Sequence, residues 1–218
     1  MSSRMKLVPL VVLFLAGLGL AGGIELVPST FTPTPGEELT LRVMGAPSGA
    51  EFYWDFGGDG TVDFTGNAPE LTYTTRAGYQ EVVLQVVVGG APVGSARLAI
   101  TSHEQLGAYR LVQGTDPVEV TLVIRAKGHL FAPGLEESVP PGWILELVDE
   151  GGAFTKREDG RLQAVWPYEL WTGNEVRLRY LLYPPASGAV ARLQGTASAY
   201  AAGGGRIEIR IGGRVVIP

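Results

Sequence analysis

The sequence predicts an all-β protein made of two tandem antiparallel β-sandwich domains that follow an N-terminal signal peptide. Short runs of alternating apolar and polar residues recur along the chain, and almost nothing after Gly23 has helical periodicity. The 31 Gly and 15 Pro are spread out, as turn residues between short strands are. With 218 residues, 45% of them hydrophobic, the chain has room for one large core or two smaller ones.

Composition also excludes several kinds of partner and site. A net charge of −5 gives no electrostatic basis for binding nucleic acid or an anionic membrane surface, so no nucleic acid partner is expected. The chain has no Cys, which excludes disulfides and thiolate metal sites.

Residues 1–23 are predicted to be a signal peptide. Arg4 and Lys6 precede the uncharged run "LVPLVVLFLAGLGLAGG", and small residues at Ala21 and Gly23 favour cleavage there. An uncleaved anchor is the alternative, and this segment would then be the only contact with a membrane. We expect a secreted, periplasmic or cell-surface location.

Period-two alternation predicts strands that each have one buried and one exposed face. The apolar positions of the clearest runs are Leu39, Leu41 and Val43; Val82, Leu84, Val86 and Val88; Val118, Val120, Leu122 and Ile124; Val176, Leu178, Tyr180 and Leu182; and Ile207, Ile209 and Ile211. The polar stretch "TSHEQL" interrupts this pattern. We therefore predict domains at 24–101 and 108–218, joined by a linker at 102–107.

The stretch "YWDFGGDGTVD", residues 53–63, contains three carboxylates, those of Asp55, Asp59 and Asp63. Counted from Asp55 as the start of a calcium loop, glycines stand where two further ligands are needed, so only a weak Ca²⁺ site remains possible. No other cofactor is indicated. The preferred interpretation is a hairpin turn at residues 57–60, with Trp54 and Phe56 in the core and the carboxylates bonded to turn N–H groups.

The motif "YWDFGGDGTVDFTG" followed by "LTYTTRAGYQEVVLQVVV" resembles the PKD (polycystic kidney disease repeat) domain over residues 24–101. The residues that match are Trp54, Phe56, Asp59, Gly60, Tyr73, Gly78, Tyr79, Val82, Leu84 and Val86. The extra glycine at Gly57-Gly58 departs from the family pattern. This resemblance implies an immunoglobulin-like sandwich that is mostly extracellular, acts as a spacer, adhesion or accessory module, and is not catalytic.

Residues 108–218 resemble an immunoglobulin-like β-sandwich repeat of secreted bacterial surface proteins, including S-layer and cellulosome-associated chains. The residues that match are Glu136, Pro140, Gly142, Trp143, Trp166, Tyr180, Pro184, Pro185, Gly195, Ala197 and Ser198. The family implies no single activity. Near the end, residues 203–205 are predicted to be a loop and Gly212-Gly213 a hairpin turn.

The segment "AVWPYELW", residues 164–171, raises a question of function. Trp166, Tyr168 and Trp171 could form an aromatic platform for sugar rings or for the hot-spot residues of a partner. The favoured alternative is that Trp166 is core and that Tyr168 and Trp171 cover a sheet edge.

The two histidines, His103 and His129, occur in no catalytic motif and are expected to be solvated loop residues. We therefore predict an exported non-catalytic structural or adhesion module that contacts an envelope or extracellular protein. The alternative is a carbohydrate-binding module that uses Trp171, Tyr168 and Tyr53.

Overall fold

The structure, a computed structural model, describes residues 23–218, and every element in this range is a β-strand or a connection between strands. Nearly all of the predicted signal peptide lies outside the described residues. The strands are β1 (Glu25–Pro28), β2 (Glu38–Met44), β3 (Glu51–Phe56), β4 (Phe64–Gly66), β5 (Glu70–Thr74), β6 (Gly78–Val88), β7 (Ala91–Ser102), β8 (Leu106–Gln113), β9 (Val118–Ala126) and β10 (Leu130–Ser138).

The strands of the second half of the chain are β11 (Ile144–Asp149), β12 (Phe154–Glu158), β13 (Arg161–Val165), β14 (Glu169–Leu170), β15 (Glu175–Tyr183), β16 (Ala191–Arg192), β17 (Gln194–Ala201), β18 (Arg206–Arg210), β19 (Gly212–Gly213) and β20 (Val216–Ile217). The prediction of an all-β architecture is confirmed, and the immunoglobulin-like character of the sandwiches stays a prediction. Residues 23–218 contain no helix that is long and apolar enough to span a membrane.

One nine-stranded sheet runs through the whole described chain, in the order β11-β15-β9-β8-β19-β7-β6-β3-β4. A three-stranded sheet, β1-β2-β5, covers one end of it. A six-stranded sheet, β12-β13-β10-β17-β18 with β14 beside β10, covers the other end. The small pair β16-β20 completes the fold. The sandwich faces thus lie at the two ends of one shared sheet.

Two separate hydrophobic cores lie between these layers. The first gathers buried side chains between Leu26 and Ile100, and Trp54 at its centre is 0% exposed, as predicted. The second gathers those between Leu106 and Ile217, with Trp166 also fully buried. The chain crosses from one core to the other within 102–107, but the sheet is continuous there, so the division into two domains stays a prediction.

The predicted hairpin turn at Gly212-Gly213 is wrong. These residues form β19, which lies between β7 and β8, antiparallel to the first and parallel to the second. The backbone of β8 lies so close to β19 that no side chain fits: a Cβ on Gly213 would lie 2.2 Å from the Arg110 carbonyl oxygen. The φ of Gly213 is also +83°. Glycine is needed here for close packing of three backbones, which a sequence cannot distinguish from a turn requirement.

Candidate functional site

The outer face of the six-stranded sheet carries an exposed aromatic patch, which we define as His129, Phe131, Trp171 and Tyr200. Phe131 on β10 is the direct cross-strand partner of Tyr200 on β17, so both side chains leave the same face. Trp171 is 56% exposed, Tyr200 49% and Phe131 39%. Large apolar groups clustered on a surface are typical of interaction sites.

The His129 ring contacts two other members of the patch. Its ring stacks on Trp171 with centroids 3.7 Å apart and an interplanar angle of 12°, and its centroid lies 4.5 Å from that of Phe131. Its Nε2 atom is 2.5 Å from Oε2 of Glu169 on β14. The imidazole thereby covers one face of the indole and fixes the orientation of Trp171. His129 lies in the connection between β9 and β10, as expected, but its side chain is only 25% exposed and packs against two aromatic rings.

A β-bulge lies next to the patch. The register between β10 and β17 shifts between Phe131 and Gly134, and Ala132 within this bulge has a φ of 44°. The Ala132 N–H bonds to the Tyr168 carbonyl oxygen at 3.1 Å. A left-handed conformation is unfavourable for alanine, and such positions concentrate at functional sites. Bulges of this kind commonly redirect a neighbouring side chain.

The other predicted aromatics do not join the patch. Trp166 is core, and its indole N–H donates to the Gly151 carbonyl oxygen at 2.8 Å. Tyr168 is 45% exposed, but its hydroxyl lies near Gly152 in the turn between β11 and β12. Tyr53 lies on β3, where its hydroxyl donates to Glu51, and this hydrogen bond raises the pKa of Tyr53. Of the three aromatics proposed for a platform, only Trp171 contributes to the patch.

Sequence reasoning missed His129, Phe131 and Tyr200 as members of one surface. The first two are neighbours in sequence, but the pairing of β10 with β17 joins Phe131 to a residue far along the chain. Alternation within β10 marks Phe131 as outward-facing only after the register is known. No local pattern in the sequence contains that register.

The acidic turn after β3 uses its carboxylates as hydrogen-bond acceptors. Asp55 accepts from the N–H groups of Gly58 at 2.8 Å and Gly60 at 2.9 Å. Asp59 accepts from Thr61, and Asp63 accepts from Phe56 at 2.6 Å. Within residues 23–218 no group of three or more His, Cys, Asp or Glu side chains is arranged to hold a metal ion. The geometry supports the turn interpretation of the stretch.

His103 caps the crossing between the two cores. Its Nδ1 atom accepts from the N–H groups of Gln105 at 3.1 Å and Leu106 at 3.2 Å, so its ring is also structural and not simply solvated. Burial lowers the pKa of His103, and the nearby Lys127 ammonium lowers it further. Lys127 itself donates to the carbonyl oxygens of Pro33 and His103, which links the connection after β9 to the first half of the chain and to the crossing.

A buried ion pair lies inside the second core. The guanidinium of Arg110 on β8 binds both carboxylate oxygens of Glu137 on β10, at 2.7 and 2.6 Å, and both side chains are 1% exposed. Arg110 Nη1 also donates to the Ile211 carbonyl oxygen at 3.0 Å, and the Tyr180 hydroxyl donates to Glu137. Burial raises the pKa of Glu137, an effect that Arg110 opposes. This network connects both sheets to the residue that precedes β19.

Comparisons with known proteins give only remote structural likenesses. No family model matches the chain, and no curated protein matches it. The major pilin SpaD of Corynebacterium diphtheriae is 7% identical, over 90% of this chain and 67% of that one, with a TM-score of 0.43. The major pilin subunit BcpA of Bacillus cereus is 11% identical, over 90% of this chain and 69% of that one, with a TM-score of 0.42.

A chitinase, ChiA74 from Bacillus thuringiensis, is 9% identical, over 73% of this chain but only 26% of that one, with a TM-score of 0.35. No functional conclusion rests on likenesses of this size. The resemblance to the PKD domain stays a prediction.

Proposed function

We propose that this chain is an exported, non-catalytic structural or adhesion module that contacts a protein partner at the cell envelope. The aromatic patch is the contact surface, and it is the single observation that carries the proposal. The charged Glu169 lies beside exposed aromatic side chains that a partner can cover. Aromatic residues of this kind supply most of the binding energy at protein interfaces.

Preorganisation of the patch supports the same conclusion. Stacking on His129 restricts the Trp171 ring, and the Glu169 contact restricts His129 in turn. Side chains that are already ordered lose less conformational entropy when a partner binds. Phe131 and Tyr200 stand on paired strands of a sheet, and His129 and Trp171 lie in the connections that directly adjoin β10 and β14.

Both histidines make structural contacts. The Nδ1 atom of His103 accepts hydrogen bonds from two backbone N–H groups, and the Nε2 atom of His129 is bonded to Glu169.

The continuous sheet connects the two cores through backbone pairing. Such a connection suits a spacer that transmits force or holds a fixed length.

The test compares three purified proteins: the unchanged chain, Trp171→Ala, and Phe64→Ala as the control. Phe64 is 47% exposed but lies on β4, at the opposite end of the nine-stranded sheet. Each is immobilised and exposed in parallel to envelope proteins of the source cell, to cell-wall glycan and to soluble polysaccharides. We expect one defined protein to be retained by the unchanged chain and by Phe64→Ala, and to be lost with Trp171→Ala.

Retention of glycan that depends on Trp171 would instead establish the carbohydrate-binding alternative. Retention that is identical for all three proteins would contradict the aromatic patch as the contact surface. Circular dichroism of Trp171→Ala, which is expected to match that of the unchanged chain, confirms that the fold is intact.

A further inference from the structure

A cleft of about 670 Å³ lies where the acidic turn of the first sandwich faces strands of the second. We define the arginine cleft by its four guanidinium groups, those of Arg76, Arg97, Arg192 and Arg210. Arg76 precedes β6 and Arg97 lies on β7, whereas Arg192 ends β16 and Arg210 ends β18. Both sandwiches therefore contribute positive charge to one opening, in a chain whose net charge is −5.

The positive charge of the cleft is only partly neutralised. Among the described residues, Glu81 is the only carboxylate that lines the cleft, and it already receives hydrogen bonds from Arg97 at 2.7 Å, from Arg192 and from the Tyr79 hydroxyl. Asp55 and Asp59 lie next to Gly57 at the margin of the cleft, where their carboxylates accept backbone N–H groups of the turn. No ion pair to Arg76 or Arg210 is found within residues 23–218.

Three of the four guanidinium groups are already held in place. Glu81 fixes Arg97 and Arg192, and the Arg210 guanidinium carbon lies 3.7 Å from the centroid of the Tyr79 ring. A guanidinium held over an aromatic face keeps its N–H edges free to bind a ligand. Because these side chains are ordered before binding, a ligand loses less free energy in organising them.

We propose that the arginine cleft binds a compact polyanion that carries phosphate or carboxylate groups. The N–H edges of Arg76 and Arg210 are the donors available to it, since oxyanions of this kind accept paired hydrogen bonds from guanidinium groups. A bound anion would also reduce the repulsion among four cations and join the two sandwiches across the cleft. The site is separate from the aromatic patch, and neither proposal depends on the other.

The experiment is isothermal titration calorimetry of the protein that comprises residues 23–218. Inorganic phosphate and citrate are the two separate probes, and sodium chloride at matched ionic strength is the blank. The proteins are the unchanged chain, the double variant Arg76→Gln/Arg210→Gln, and the control Arg42→Gln. Arg42 is an exposed arginine on β2, paired with Glu70 and outside the cleft. We expect saturable binding with a Kd of about 1 mM or tighter for at least one probe.

The double variant is expected to bind on the order of tenfold more weakly or worse, because it lacks both uncommitted cations, whereas Arg42→Gln binds as the unchanged chain does. Binding of phosphate alone identifies a phosphate-bearing ligand, and binding of citrate alone identifies a polycarboxylate. Absence of saturable heat with both probes overturns the proposal. So does equal affinity in the unchanged chain and the double variant, with circular dichroism confirming that the variant is folded.

Discussion

The two hydrophobic cores differ in how they treat buried polar groups. The first, around Trp54, is a cluster of apolar side chains, and the hydroxyl of Tyr73 beside it is buried without a hydrogen-bond partner among the described residues. The second encloses a complete polar network, in which the Tyr180 hydroxyl, Glu137, Arg110 and the Ile211 carbonyl are all bonded. The first core joins its two sheets by apolar contacts, whereas the polar network of the second also bonds the C-terminal segment at Ile211.

The largest expected effect comes from breaking the ion pair. Glu137→Gln leaves the buried Arg110 charge without a carboxylate, and we expect the free energy of unfolding to fall by about 3–5 kcal/mol. The double variant Arg110→Met/Glu137→Met removes both charges and is expected to lose far less. Chemical denaturation of the single and double variants measures this difference. A double variant as unstable as Glu137→Gln would contradict the role given to the uncompensated charge.

The second prediction concerns Gly213 on β19, the strand that pairs with both β7 and β8 between the two cores. Gly213→Ala adds a methyl group that overlaps the Arg110 backbone and requires a left-handed alanine, so we expect a loss of about 2–4 kcal/mol. The matched control is Gly160→Ala, where φ is +71° but nothing lies within 4 Å of the added Cβ, and the expected loss is about 1 kcal/mol. Thermal unfolding of both variants gives the comparison. Equal losses would mean that the close approach of β19 to β8 does not matter.

The two tyrosines give a direct comparison of the cores. Tyr180→Phe removes a donor from the buried Glu137 and is expected to cost about 1–3 kcal/mol. Tyr73→Phe removes a hydroxyl that has no partner, so stability should stay the same or rise. Burial raises the pKa of Tyr73 to about 12, so spectrophotometric titration can also check its environment. A destabilised Tyr73→Phe would show that the first core has a polar contact of its own.

A pH effect is expected at the crossing between the cores. The folded-state pKa of His103 lies below its ordinary value of 6.5, so the unfolded chain binds this proton more readily than the folded protein does. The stabilising contribution is complete above that value and is lost as the pH falls through the lowered folded-state pKa. His103→Asn retains an acceptor for the N–H groups of Gln105 and Leu106 but does not titrate.

The measurement is urea denaturation of both proteins at about pH 7 and at about pH 5. The unchanged chain should lose more stability than His103→Asn on acidification. Parallel pH dependence in the two proteins would assign the effect to other groups.

The smallest expected effect concerns calcium. Because Asp55, Asp59 and Asp63 already accept turn N–H groups, EDTA and added Ca²⁺ should leave the melting temperature unchanged. Asp55→Ala, in contrast, should cost about 1–2 kcal/mol by releasing two turn N–H groups. A melting temperature that rises with Ca²⁺ and returns to its original value with EDTA would restore the metal interpretation of this turn.

The sequence predicts what depends on local alternation. Leu39, Leu41 and Val43 are buried as expected, and Trp54 and Trp166 are core. It does not predict features that depend on pairing between distant strands, such as the aromatic patch, the Arg110–Glu137 contact and the place of β19. Gly212-Gly213 illustrates the difference, since a pair of glycines satisfies a tight turn and a crowded backbone contact equally well.

The place of β19 has a consequence for synthesis. Arg210, whose carbonyl oxygen accepts from Thr101 at 2.8 Å, lies 109 residues after that partner. The ribosome therefore makes β19 after every other strand of the nine-stranded sheet. Until then the facing edges of β7 and β8 lack this partner, and an unpaired edge readily recruits a strand from another molecule. A truncated product that ends before Ile211 would present these open edges permanently. Such fragments should therefore aggregate or exchange strands more readily than the longer chain does.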